Sequence, residues 1–267
     1  MSQKVQCASH GERDATFLCS HLAEQNSVAL GFNTSGPSSE NPFPDAWCDD
    51  CEVICTAHGG WNQESEKLLR VVLLCSGCYL KARIRNTKPD VTLDDLADLR
   101  WKCSHCEEWH NGPCLDFSYS KPAHWPAQNS GSPPDPETFL NDDFCAIKGQ
   151  QFFVRGIIPL SIIGTADSFA WGVWGSLSKE NFERLIAIGK EPKRTEFPPM
   201  FSWLSNQIRE YPDTLDLKMR AHIQPPKLRP RFELELTDHP LAQEYHYGIA
   251  PQRVKEMMLG RLRFPQQ

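Results

Sequence analysis

The chain has 267 residues, of which 40% are apolar and 23% charged, and it carries a net charge of −6. That length suits one large domain or two ordinary ones, and no apolar run approaches the roughly 18 residues that span a bilayer. The opening MSQKVQCASHGERDATF lacks the apolar core of a signal peptide, and no polybasic block exists, so a cytoplasmic protein is expected, with nucleic acid and membrane disfavoured as partners.

Before residue 62 there is little regular pattern, and AEQNSVALGFNTSGPSSENPFP (23–44) reads as a loop. NQESEKLLR (62–70) predicts a short helix, while VVLL (71–74) extends it or forms a strand leading into CSGC. YLKARIRN reads as a helix or a turn capping that CSGC. TLDDLADLRW predicts a helix capped by Thr92, with Asp94 and Asp95 in its first turn. PAQNSGSPPDPET (126–138) is a second loop. FCAIKGQQFFVRGIIPLSII predicts two strands with a turn at Lys148 to Gln150, and FAWGVWGSL an aromatic strand. Ser178 caps a helix over KENFERLIAIG. TLDLKMRAHI and RFELELT alternate as half-buried strands do. LAQEYHYG and PQRVKEMMLGRLRF close the chain as helices, with Pro251 in a first turn.

The expected fold is therefore α+β. A small zinc-stapled module occupies residues 1–98, and residues 99–267 form a domain with a mostly antiparallel sheet and flanking helices.

Eleven cysteines are many for a reducing compartment, and ten of them precede residue 115, which favours metal ligation over disulfides. The strongest signal is Cys48 and Cys51 with Cys75 and Cys78. Two C-x-x-C turns can each aim two sulfurs at one ion, and together they complete a tetrahedron of thiolates suited to structural zinc. Cys7, His10, Cys19 and His21 form a second candidate set, with Cys55 and His58 as substitutes. Cys103, Cys106 and His110 form a third, completed by Cys114 or Cys145. Its neighbours Glu107 and Glu108 would repel phosphates, which argues against a nucleic-acid knuckle and leaves Trp109 as packing.

No phosphate loop, dinucleotide fingerprint, nucleophile elbow or H-E-x-x-H is present. Asp238, His239, Glu244 and His246 stand close in sequence, but a helix cap and solvated polar groups account for them, as a structural hydrogen bond accounts for His222. The pattern favours a protein that is not an enzyme. Phe169 and Trp171 share one strand face and Trp174 the other. Core packing is the plain reading; an exposed Trp171 or Trp174 would instead anchor a partner.

WKCSHC, DFCAIKGQQFFVRGIIPLSIIG, FAWGVWGSLSKENFERL, FSWL and YPDTLDLKMRAHIQPPKLRPRFELELTDHPLA resemble a bacterial group, domain-of-unknown-function family 2199, from about Trp101 to the C-terminus. The resemblance implies a C-x-x-C followed by a histidine, which Cys103, Cys106 and His110 match, and it raises Cys145 over Cys114 as fourth ligand. CASHGERDATFLCSHL, with PDAWCDDCE and VVLLCSGCY, is similar to a second uncharacterised bacterial cysteine-rich module. Fusions of such domains are common among bacterial immunity proteins. This implies a zinc-containing immunity protein that occludes a basic toxin domain, such as a nuclease, using Asp45, Asp49, Asp50 and Glu52. A zinc-dependent or thiol-based enzyme and a zinc-containing nucleic-acid regulator are the alternatives.

Overall fold

Strand β1 (Lys4–Cys7) turns at Gly11 into β2 (Gly11–Cys19), pairing antiparallel with Cys7 opposite Gly11. The computed structural model describes residues 3–24, 29–34, 41–89, 91–103, 106–126, 136–189, 191 and 193–264. Parts of both expected loops, 25–28 and 35–40 in the first and 127–135 in the second, lie outside the described residues.

The chain divides into two compact units. The first comprises Met1–Pro113, Ser161–Asp167 and Tyr247–Gln267. After β2 come a one-turn helix α1 (Ser20–Ala23), β3 (Asn33–Thr34), β4 (Ala46–Trp47) and α2 (Asp49–Ala57). Then follow α3 (Gln63–Leu68), β5 (Val71–Cys75) and α4 (Ser76–Asn86). The VVLL run is thus a strand, and YLKARIRN lies within a helix. Asn62 starts α3 by accepting bonds from the amides of Glu64 and Ser65, while Ser65 returns a hydroxyl to the Asn62 amide, a reciprocal cap.

β2 organises this unit. β1 covers its first half, β5 runs antiparallel along its second half from Ala15–Cys75 to Cys19–Val71, and β4 pairs with it in parallel at Leu18–Ala46. Leu18, Leu22, Ala46, Tyr79 and Ala82 are buried between this sheet and its helices. Tyr79 meets Phe32 and Phe43 edge-on at 5.3 and 5.8 Å.

The predicted helix over TLDDLADLRW is only a 3-10 turn, Asp94–Leu96. The turn's N-cap is Leu93 rather than Thr92, whose hydroxyl accepts the Asp95 amide at 3.4 Å; Arg100–Lys102 (β6) then leaves the helical path to pair with Trp109–Asn111 (β7), and Trp101 donates its indole N–H to the Gly112 carbonyl at 2.9 Å. The boundary expected at 98/99 also shifts. The β6–β7 hairpin, the turn at 161–167 and the C-terminal helix Pro251–Arg261 all belong with the cysteine-rich unit. The helix explains why: Val254, Met257 and Met258 form one apolar stripe, and all three are buried.

The second unit, Cys114–Leu160 with Ser168–His246, is built on strands. They are β8 (Asp116–Ser118), β9 (Phe139–Leu140), β10 (Phe144–Ile147), β11 (Gln151–Ser161) and β12 (Ser168–Leu177). Helix α5 (Lys179–Ala187) follows, capped as expected by the Ser178 hydroxyl, then β13 (Met200–Leu204), β14 (Lys218–His222), β15 (Arg231–Leu234) and helix α6 (Pro240–Tyr247). The sheet is mostly antiparallel, as expected, but it closes on itself, which the sequence did not suggest. β12, β13, β14, β15 and β11 follow one another, and β11 pairs back onto β12, closing a barrel. β15 meets β11 in parallel, while β8 adds to β12 and β10 and β9 to β11. Closure leaves the ring itself without an exposed edge.

Alternation along the strands fills the barrel: Ile158 and Leu160, Phe169, Trp171 and Val173, Met200 and Leu204, Met219 and Ala221, Phe232 and Leu234 are all buried. The Phe232 ring lies so close to Gly156 and Gly175 that a Cβ at either would come within 2.4 and 2.7 Å of it. Trp174 points to the other side of its strand, into a cluster with Cys145, Ile147 and Phe153. Trp171 and Trp174 are both 0% exposed, so neither is a partner anchor.

Candidate metal centres

Among the described residues, three groups of cysteine and histidine could each hold a metal ion, with ligand atoms within 4.8 Å of one another. The first is Cys7, His10, Cys75 and Cys78; the second is Cys19, His21, Cys48 and Cys51; the third is Cys103, Cys106 and His110.

This grouping corrects the expected one. Cys48 and Cys51 do not meet Cys75 and Cys78, and Cys7 and His10 do not share a site with Cys19 and His21. The spacing identified half-sites; strand pairing decides which halves meet. The tip of the β1–β2 hairpin carries Cys7 and His10, and β5, running back along β2, delivers Cys75 beside them. Cys75 ends β5 and caps α4, its sulfur accepting the Cys78 amide at 3.4 Å. In this first cluster His10 Nδ1 lies 3.6 Å from Cys7 Sγ, 3.3 Å from Cys75 Sγ and 3.6 Å from Cys78 Sγ, and the Cys7 and Cys78 sulfurs are 3.9 Å apart. Gly77, inside the turn, makes room for the His10 ring: a Cβ there would lie 2.7 Å from it.

The second cluster gathers at the far end of β2. Cys19 ends that strand and Cys48 precedes α2, and each stands at a helix N-terminus, as Cys75 does. His21 Nδ1 is 3.5 Å from Cys48 Sγ and 3.3 Å from Cys51 Sγ, and the Cys48 amide donates to Cys19 Sγ at 3.4 Å. The one-residue gap of C-x-H is workable because the chain passes from strand to helix between the two ligands.

The sulfurs of each cluster do not titrate alike. The Cys7 thiol is held down to about 6, first by the Ser9 backbone and then by Cys75 and His10, whereas burial and then the thiols of Cys75 and Cys7 push Cys78 up to about 12. Cys51 is raised by burial and by its Cys48 and Cys19 neighbours, and burial likewise raises Cys19. Packed thiols oppose one another's ionisation, and a cation placed among them removes that opposition.

The third cluster sits on the β6–β7 hairpin. Cys106 Sγ is 3.2 Å from His110 Nε2, and the His110 ring stacks on Trp101 at 4.8 Å. Ser104 and His105 lie outside the described residues. Neither proposed fourth ligand joins this group. Cys145 is buried in its apolar cluster and pushed up to about 12 by that burial, and Cys114 donates its thiol to the Asp116 carbonyl at 3.3 Å. Cys55 is buried outside the groups, and His58 binds the Ile54 carbonyl at 2.9 Å.

The acids proposed for a partner are partly engaged. Asp49 pairs with Lys88 Nζ at 2.8 Å and with Asn33, which hold its carboxyl below the usual range. Asp45 accepts the Phe17 amide and Glu52 accepts the Trp47 indole N–H. The histidines at the end of the second unit have structural partners. His239 Nδ1 accepts the Leu241 amide at the start of α6, His246 Nε2 bonds the Leu234 carbonyl at 2.8 Å, and His222 pairs with Glu233 across β14–β15 at 2.6 Å. Trp109, read as packing, is 43% exposed with the Arg100 guanidinium over its ring. Among the described residues, no helix is long and apolar enough to cross a membrane.

Comparison with curated proteins found no match, and neither did comparison with solved structures. The family model described as "Uncharacterized protein conserved in bacteria (DUF2199)" matches residues 102–249, more than half of the chain. The match begins on the hairpin that bears the third cluster and runs through the whole barrel, so the chain belongs to the DUF2199 family, with a cysteine-rich segment preceding the matched region.

Proposed function

We propose that the cysteine-rich unit is a module stapled by structural zinc, and that the protein binds another protein rather than catalysing a reaction. The observation that carries this is the geometry of the first cluster. A tetrahedral zinc ion, with its usual bond lengths, places two sulfur ligands about 3.8 Å apart and a sulfur and a nitrogen about 3.6 Å apart. The separations of 3.9 Å between Cys7 and Cys78 and of 3.3–3.6 Å from His10 to three sulfurs fit those edges. The second cluster has the same donor set. Four protein donors fill a tetrahedron and leave no position for water or substrate, which is the mark of a structural site.

Elemental analysis of the purified chain tests the reading. Two tightly held zinc ions are expected from the four-donor sites. Cys7→Ser and Cys75→Ser should each lose the same ion, Cys19→Ser and Cys48→Ser the other, and a Cys48→Ser/Cys75→Ser double variant should lose both. Loss of a single ion in that double variant would overturn the grouping.

The partner we propose is a basic protein, with a bacterial toxin domain as the instance suggested by the acidic N-terminal half, which holds fourteen acids against nine bases in residues 1–100. Co-expression with a toxin encoded beside this chain should neutralise it. Unchanged toxicity, with the complex undetected in purified mixtures, removes that partner. A second reading rests on the third cluster, where three donors are present among the described residues. Three donors suit a site with an open position and hence chemistry. In the cobalt-substituted protein, a visible spectrum that changes on adding a small anion would favour this reading, and an unchanged one would remove it.

A further inference from the structure

A cavity of about 680 Å³ opens in the first unit beside the second cluster, with Cys19 in its wall. That size lies within the roughly 300–1,000 Å³ of sites that take small ligands or single recognition elements. Its floor is apolar, made by buried Leu18, Ala46 and Leu69. Its walls are rings and a branched side chain left open to solvent: Phe17 is 43% exposed, Trp61 38% and Val71 41%. Trp47 completes the wall and meets Trp61 edge-to-face at 5.2 Å and 62°. So much exposed apolar and aromatic surface around one cavity is unusual for a surface with no partner.

The charged residue that lines the cavity is acidic. Asp45 lines the cavity, and the Glu52 carboxylate lies one hydrogen bond behind it, on the Trp47 indole N–H. A divalent ion held by the three thiolates and imidazole of the second cluster leaves a net negative centre with Cys19 in the wall. Lys67 and Arg70, the basic residues of the adjoining chain, are not among the lining residues. Aromatic faces with carboxylates at hand attract a cation that carries an apolar stem. Asp49, one of the acids first proposed for a partner, is paired with Lys88, whereas Asp45 and Glu52 frame this cavity.

We infer that this cavity is where the partner docks, by inserting an arginine or lysine side chain between Trp47, Trp61 and Phe17 with its charge toward Asp45. This rests on the protein-binding reading above and adds the surface and the chemistry recognised.

The test uses the full zinc-loaded chain and three acetylated, amidated pentapeptides: Gly-Leu-Arg-Leu-Gly, its norleucine analogue and its glutamate analogue. The probe is the indole N–H resonances of Trp47 and Trp61. The arginine peptide should shift both in a saturable way, and the norleucine peptide should bind about 5-fold or more weaker. The glutamate peptide should not bind. Trp61→Ala should abolish the shift at Trp47, and Asp45→Asn should weaken the arginine peptide about 3-fold or more without altering the neutral one. Equal binding of the arginine and norleucine peptides, no shift with either, or unchanged affinity in both variants overturns the inference. Zinc content, measured on the same samples, separates this from the earlier reading. A cavity that ignores the arginine peptide in a chain holding its two ions refutes the docking surface alone, whereas a wrong zinc count refutes the structural-metal reading whatever the peptides do.

Discussion

Gly77 shows how much a single residue governs at the first cluster. It has no Cβ, and the His10 ring occupies the space one would fill, with three ring atoms 2.7–2.9 Å from the ideal position. Gly77→Ala should therefore push His10 off the sulfurs of Cys75 and Cys78 while leaving every ligand present. Disturbing a residue that positions a ligand typically costs on the order of 10–100-fold in metal affinity. Competition against a chromophoric chelator should show one ion weakened by that factor and the ion at Cys19, His21, Cys48 and Cys51 unchanged. The same scale holds a pH-dependent contact. Asp95 accepts from the Thr92 amide at 2.7 Å and the Thr92 hydroxyl at 2.8 Å, and those bonds hold its carboxyl below the ordinary range. A depressed folded value means the contact stabilises at pH above the unfolded value of about 3.9 and is lost as pH falls through the folded one. Thr92→Ala removes the hydroxyl bond, so the Asp95 midpoint followed by NMR should rise toward that reference value. A midpoint unmoved by the substitution would leave the backbone amide as the whole cause.

Elements were legible where a local rule governs them. The Ser178 cap, Pro251 in a first turn, the strand pair with its turn at Lys148 and Gly149, and the alternation through Met219 and Ala221 all follow from neighbours in sequence. TLDDLADLRW failed for the opposite reason. Its local signals favour a helix, but Arg100–Lys102 is claimed by a partner strand, Trp109–Asn111, and pairing overrides propensity. The cysteine–histidine half-sites were legible and their assembly was not, because which C-x-x-C meets which histidine is fixed by the pairing of β5 and β4 with β2. The aromatic cavity was missed too: Trp47 and Trp61 are fourteen residues apart, with no periodicity to join them. Barrel closure was hidden in the same way, since it depends on β11 meeting both β12 and β15. Closure leaves a mark that can be tested. Phe232 fills the space that Gly156 and Gly175 leave empty, and a methyl group at Gly156 would lie 2.4 Å from its ring. Gly156→Ala should cost about 1–3 kcal/mol through overpacking. Adding Phe232→Leu should cost less in the Gly156→Ala background than alone, a coupling readable from urea unfolding midpoints. Strict additivity would mean that the ring and the glycine do not share that space.

At the scale of the molecule, the cysteine-rich unit is not the N-terminal stretch that cysteine density alone marks out. Its own apolar stock is small, and the chain returns twice to complete it. Ile163 donates its amide to the Ile249 carbonyl at 2.8 Å, Gly164 donates to Ile84 at 2.8 Å, and Lys102 donates to Arg263 at 2.8 Å. Tyr247 packs on Phe43 at 6.1 Å, under the guanidinium of Arg83. Tyr247, Ile249, Val254, Met257 and Met258 are all buried there. At about 1.5–3 kcal/mol for each fully buried apolar side chain, those five supply about 7–15 kcal/mol, as much as the whole net stability of an ordinary domain. Metal binding cannot replace that term, because ligand geometry closes loops and does not bury these apolar side chains. A fragment ending at residue 98, supplied with saturating zinc, should hence bind the metal through its thiols yet show no cooperative thermal transition and should expose apolar surface to a hydrophobic dye. The full chain should melt cooperatively, with a transition that a chelator lowers and a non-chelating reductant leaves in place. A fragment of residues 1–98 that melts as sharply as the full chain would show that zinc and the first sheet suffice. The returning helix would then be an appendage, and the burial of Val254, Met257 and Met258 would contribute to neither the folding nor the metal affinity of the unit.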